Sequence, residues 1–169
     1  PDEGRILLDG HDLKRYSLTS LRDNIGVIFQ DFVRYHLTAG ENIAVGQIDR
    51  RHDAAKIHEA AERGNAAEVI AKLPGGYDQM MGKKFRNGTD LSGGEWQKIA
   101  LARAYMADAQ VMILDEPTAS LDARAEYEVF RRFRELANAR TTIVISHRFS
   151  TVRMADRILF LEHGQLLEI

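Results

Sequence analysis

Val111-Met112-Ile113-Leu114-Asp115-Glu116 runs four apolar residues straight into two carboxylates. The run is short and continuous, so it reads as a strand buried inside a sheet. Two acids at its C-terminal end stand where open α/β sheets bind ligands. Successive strand residues point in different directions, so Asp115 and Glu116 suit different tasks. One can hold a cation while the other faces a reacting water. The plainer alternative is that both acids only cap the turn that follows at Pro117-Thr118.

A buried strand needs partners, and the flanking sequence offers them. Residues 25–29 and 141–145 have the same continuous apolar character, and residues 157–161 read as a fourth strand. Residues 5–8 form a short β-type run closed by the turn Asp9-Gly10, and residues 164–168 look like a hairpin return. Between them the texture is helical. Ser17 is placed to cap a short helix over residues 18–23. Asp49 or Asp53 is placed to cap a segment with Ala54, Ile57, Ala60 and Ala61 at helical spacing, up to Gly64-Asn65. Residues 66–73 resume the helix until Pro74-Gly75-Gly76 ends it. Residues 82–90 are polar, basic and loop-like, and residues 94–106 are helical and rich in alanine. A helix from Leu121 sets Ala125, Val129, Phe133 and Leu136 on one face, and residues 151–155 form a short helix. Strands alternating with helices, interrupted by one all-helical block, predict a mostly parallel α/β sheet with an inserted α-helical subdomain. The predicted division is 1–37 for the first part of the α/β core, 38–107 for the helical subdomain and 108–169 for the rest of the core.

Composition narrows the function classes. The chain has 169 residues, 44% of them hydrophobic and 28% charged, which suits one globular domain and not a disordered segment. A net charge of −2 gives no electrostatic drive toward nucleic acid or an anionic membrane. With no cysteine, disulfides, thiolate metal sites and a thiol nucleophile are excluded. The apolar runs fall far short of the roughly 20 residues that cross a bilayer. The chain opens at Pro1 and not at methionine, which suggests a piece of a longer protein.

Three further features carry chemistry. Leu91-Ser92-Gly93-Gly94-Glu95 opens the alanine-rich helix. Its glycines let a backbone approach closely, and the helix N-terminus adds N–H donors and a positive dipole end beside the Ser92 hydroxyl. The combination suits an anion such as phosphate, although a glycine turn with Ser92 as an ordinary cap reads the same way. His147 follows the 141–145 strand, so parallel pairing would set it beside Glu116. Gln30 follows the 25–29 strand in the same manner, and its amide can ligate Mg²⁺ or hold a water.

Taken in order, these features resemble the nucleotide-binding domain of ABC ATPases, a P-loop NTPase-type fold. Gln30 matches the Q-loop glutamine, and residues 91–95 match the signature motif, with Glu95 in place of the more frequent glutamine. Residues 111–116 resemble Walker B with its adjacent glutamate, Ala119-Ser120-Leu121-Asp122 the D-loop, and His147 the H-loop switch histidine. The resemblance implies ATP and Mg²⁺ as cofactors and a head-to-tail pair of such domains. Ser92, Gly93 and Gly94 of one copy would complete the γ-phosphate site of the other, and Asp122 would run across the seam. Asp115 and Gln30 would serve the metal, Glu116 would be the general base for the attacking water, and His147 would contact the γ-phosphate.

The family's phosphate-binding string G-x-x-x-x-G-K-[ST] does not occur here, and Lys83-Lys84 lacks its glycine frame. The sheet is therefore expected to be incomplete at the N-terminus, with unpaired edges and exposed apolar faces. The isolated chain is expected neither to bind ATP with normal affinity nor to turn it over. Residues 37–44 and 73–78 resemble exporter-type domains, which implies a transmembrane partner and a place on the cytoplasmic face of a membrane. Lys83, Lys84 and Arg86 depart from the usual acidic, glycine-rich pattern before the signature. The alternatives are a soluble ABC ATPase of repair or translation, or a non-catalytic interaction fragment with the same fold.

Overall fold

A computed structural model describes residues 3–116, 131, 140–153 and 155–168. Its centre is a three-stranded parallel sheet in the order β3 (Ile25–Ile28), β4 (Val111–Asp115), β5 (Thr141–Ile145). The registers are Ile28 opposite Leu114 and Asp115 opposite Ile145, so all three strands end at one level. Parallel neighbours need a long crossover. The one from β3 to β4 contains the helical block.

Two small antiparallel pairs flank the sheet: β1 (Leu7–Leu8) with β2 (His11–Asp12), and β6 (Phe160–Glu162) with β7 (Gln165–Glu168). Helix α1 (Leu18–Asn24) is capped by Ser17, whose hydroxyl accepts from the Ser20 N–H, as its sequence position predicts. The expected helix at the sheet's far end is α6 (Phe149–Val152), two residues earlier than its sequence signal. The helix expected from Leu121, with Ala125, Val129, Phe133 and Leu136, lies outside the described residues.

The block between β3 and β4 holds α2 (Ala39–Ala44), α3 (Ala54–Arg63), α4 (Ala67–Ile70) and α5 (Gly93–Ala107). Asp53, not Asp49, caps α3 by accepting from the Lys56 N–H. Ile57, Ala60 and Ala61 face inward, while Ala54 stays exposed. Helix α4 is shorter than its apolar pattern suggests, because the chain enters turns before Pro74. Helix α5 is the hub. It buries residues on every side, from Trp96 through Ile99 and Leu101 to Met106. At the end of α3 a Cβ on Gly64 would stand 2.5 Å from the Ala102 N, so only glycine lets these helices approach so closely.

Two strand expectations need correction. The continuous apolar runs imply strands covered on both faces, yet β3 alternates, with Gly26 and Ile28 buried and Val27 exposed. Strand β5 is more open still: Ile143 and Ile145 are 49% and 51% exposed. The fourth strand begins at Phe160 and not at residue 157, and its hydrogen-bonded partner is β7, not the central sheet. An apolar run encodes the need for cover, and among the described residues nothing covers this side of the sheet. Phe149, Leu161 and Leu166 are exposed as well. Among the described residues, β3 and β5 are the edges of the sheet and carry exposed apolar side chains.

Candidate functional site

The shared level of the three strand ends gathers the predicted residues. As β4 ends, the Glu116 N–H donates to the Ile145 carbonyl at 2.9 Å, holding the two chains together one residue beyond the ladder. Glu116 Oε1 then lies 2.7 Å from His147 Nδ1, a hydrogen bond between groups 31 positions apart in sequence. Glu116 is half-buried and His147 is largely exposed, so the pair has one sheltered and one open member. Glu116 also has a φ of 42°, in the left-handed region where residues other than glycine are uncommon. Its backbone leaves the strand sharply there, and such strained positions cluster at functional sites. Asp115 is half-buried at the last position of β4. Gln30, two residues beyond Ile28, is exposed at the same end of the sheet. An Asp carboxylate and a Gln amide are oxygen donors of the type Mg²⁺ takes alongside water and phosphate.

The second element is the start of α5. Ser92 caps it, and Glu95 closes a reciprocal capping box. The Ser92 N–H donates to Glu95 Oε2 at 2.9 Å, and the Ser92 hydroxyl donates to the same oxygen at 2.7 Å. The Ser92 hydroxyl bond, then the Ser92 N–H bond, hold the Glu95 carboxyl below its usual pKa. Ser92 and Gly93 are exposed, and a Cβ built on Gly93 would meet nothing within 4 Å. Packing among the described residues therefore gives no reason for glycine at this position. Just upstream, Asp90 Oδ1 accepts from the buried Trp96 indole N–H and from the Leu91 N–H, both at 3.0 Å. The indole bond is the main reason the Asp90 carboxyl sits below its usual pKa. Asp90 and Trp96 thus anchor the turn that presents Ser92.

Comparison with known proteins identifies the family. The ABC transporter family model matches residues 1–119. The chain belongs to that family. It is 46% identical over 165 residues to an ATP-dependent lipid A-core flippase of Syntrophus aciditrophicus (strain SB), covering 98% of this chain and 27% of the flippase. It is 41% identical over 167 residues to the subtilin transport ATP-binding protein SpaT of Bacillus subtilis, covering 99% of this chain and 27% of that protein. Among solved structures it resembles a bacterial Atm1-family ABC exporter with ATP bound. The TM-score is 0.86 and the identity 42%, over 98% of this chain and 28% of the exporter chain. The chain thus spans just over a quarter of the length of these relatives. Its fold is the ABC ATPase α/β fold with a parallel sheet. Among the described residues, no helix is long and apolar enough to cross a membrane.

Within this ABC chain, Glu116 and His147 come into direct contact, and Gln30 and Asp115 share their end of the sheet. Ser92, Gly93 and Gly94 stand at the separate start of α5, and Asp122 lies outside the described residues. Sequence reasoning passed over Asn42 and Arg103. Asn42 is fully buried, and its amide donates to the carbonyls of Tyr35, Leu37 and Thr38 while its Oδ1 accepts from the Tyr35 N–H. Arg103, on α5, donates to the carbonyls of Val33 and Asn42 and to Asn42 Oδ1. The one available signal was an arginine in the alanine-rich, mostly apolar second half of α5.

Proposed function

We propose that this chain is the greater part of the nucleotide-binding domain of an ABC transporter, exporter-like, whose ATP hydrolysis powers transport across a membrane. The observation that carries this reading is the Glu116–His147 contact at the ends of neighbouring parallel strands, 2.7 Å long. A half-buried carboxylate beside an imidazole, at the ligand-binding end of an α/β sheet, is equipped to take a proton from an attacking water. In this reading Glu116 is the general base, and His147 orients its carboxylate and contacts the γ-phosphate. Asp115 and Gln30 hold the Mg²⁺ ion, which neutralises phosphate charge when bound. Ser92, Gly93 and Gly94 serve the ATP of a second copy or a second nucleotide-binding domain, with Asp122 at the seam. The open space over Gly93 favours an approach from outside the chain. Membrane-spanning segments of the same transporter complete the assembly, at the cytoplasmic face of the membrane.

The test uses the full-length transporter that contains these residues. Glu116→Gln keeps the shape and removes the base, so MgATP hydrolysis should fall by at least about 100-fold. MgATP binding should persist. Hydrolysis within a few-fold of the unsubstituted protein would overturn the assignment of Glu116.

A further inference from the structure

Most of α5 is apolar, so its arginine needs an explanation. Arg103 Nε donates to the Asn42 carbonyl at 2.9 Å, one terminal nitrogen to the Val33 carbonyl at 3.1 Å, and the other to Asn42 Oδ1 at 3.3 Å. Its guanidinium also lies over the Tyr35 ring, 4.7 Å from the centroid. A planar fork that spends its donors on two carbonyls and an amide, with an aromatic face beneath it, is held in one orientation. Burial pushes the guanidinium below its usual pKa. No carboxylate pairs with it in these contacts. The charge is held by carbonyl dipoles and a π face.

Everything Arg103 grips belongs to one short stretch. Val33 and Tyr35 lie just beyond Gln30, and Asn42 ties that stretch to the start of α2 through four hydrogen bonds. On the other side, Arg103 stands eleven positions along α5 from Ser92 (103 minus 92), which is about 16 Å at the helical rise. The segment after Gln30 and the helix that presents Ser92 are therefore joined across 61 to 70 positions of sequence by one side chain.

We infer that Arg103 is a positioning residue: with Asn42 and Tyr35 it locks the segment beyond Gln30 to α5, so that displacement at Gln30 is delivered to Ser92, Gly93 and Gly94. This rests on the roles proposed above for Gln30 and Ser92. A purely structural arginine would change how much protein is folded. A positioning arginine changes whether two segments respond together.

The experiment uses the full-length transporter with MgATP as the probe, trapped with orthovanadate. Hydrogen exchange is read in peptides covering residues 31–38 and 91–97, alongside steady-state hydrolysis. In the unsubstituted protein both peptides should change protection on trapping. In Arg103→Met the change at 31–38 should remain while that at 91–97 is lost. The kcat should fall about tenfold, with KM for ATP within about twofold, as expected when positioning for the reaction is lost and ATP binding is not. Arg103→Lys, which keeps the charge but not the fork, should fall between the two. If Arg103→Met does not fold, Tyr35→Leu removes only the ring beneath the guanidinium and should weaken the shared response in the same direction. The inference is overturned if either folded variant keeps both protection changes together, or if only its melting temperature moves. An unsubstituted transporter that does not hydrolyse MgATP would instead overturn the proposed function itself.

Discussion

The helical block and the outer side of the sheet answer to different rules. Among the described residues, the buried apolar cluster runs from Ile28 to Leu114, and most of it lies in α2–α5 and β4. Strand β5 and the β6–β7 hairpin leave their apolar side chains exposed. The block that presents Ser92 is thus internally packed, while β5, which leads to His147, is held among the described residues by its ladder to β4. The turn proposed to bind phosphate stands on a well-packed block. Among the described residues, the Glu116–His147 pair sits beside the thinly packed edge.

The comparison breaks most sharply on core substitutions. Trp96→Ala removes a fully packed indole and its bond to Asp90, and should cost about 3–5 kcal/mol in denaturant unfolding. Ile145→Ala, at a half-exposed position on β5, should cost under about 1 kcal/mol. Equal costs would mean that β5 is covered in solution and that the two regions do not differ. A smaller effect sharpens the account of the α5 start. Ser92→Ala deletes the cap and should lower stability by about 1 kcal/mol. Glu95→Gln preserves the capping box and should cost only a few tenths by the same measurement. It also removes the negative charge beside the Ser92 hydroxyl, so any gain in ATP affinity of the parent protein would show that the Glu95 carboxylate opposes phosphate there.

The smallest effect is on pH dependence. Asp90 and Glu95 have folded pKa values below their unfolded ones, because each carboxylate accepts hydrogen bonds in the fold. Their stabilisation is complete above the unfolded value, near pH 4, and is lost as pH falls through the lower folded values. Hydrogen exchange across α5 should therefore rise below about pH 4, and Asp90→Asn should remove part of that rise. An acid response identical in Asp90→Asn would mean that other carboxylates cause it.

Much of this was legible from local pattern. Residues 111–116 announced a strand ending in acids, and Ser17, Ser92 and one of Asp49 and Asp53 announced helix starts, because a cap is decided by residues within one turn. The meeting of Glu116 with His147 followed from two strand ends and the assumption of parallel pairing. What stayed hidden depends on distant partners. Nothing near Arg103 in sequence points to Val33 or Asn42, and a lone buried asparagine in residues 39–44 looks like any polar position on a short helix. The openness of β5 was hidden for the opposite reason. A Thr-Thr-Ile-Val-Ile run has the same local chemistry whether or not a neighbour covers it.

Asp108, at the left-handed C-cap of α5, binds Arg140 at 2.6 Å, and Arg140 immediately precedes β5. The far end of α5 is thereby pinned to the root of the strand that leads to His147. A rod of 15 residues, about 22 Å long, would have leverage about that point. A tilt of about 10° there would swing the Ser92 end by about 4 Å, longer than a hydrogen bond. Because α5 is packed on every side, such a tilt would carry the helical block with it and would make or break contacts at the Ser92 end.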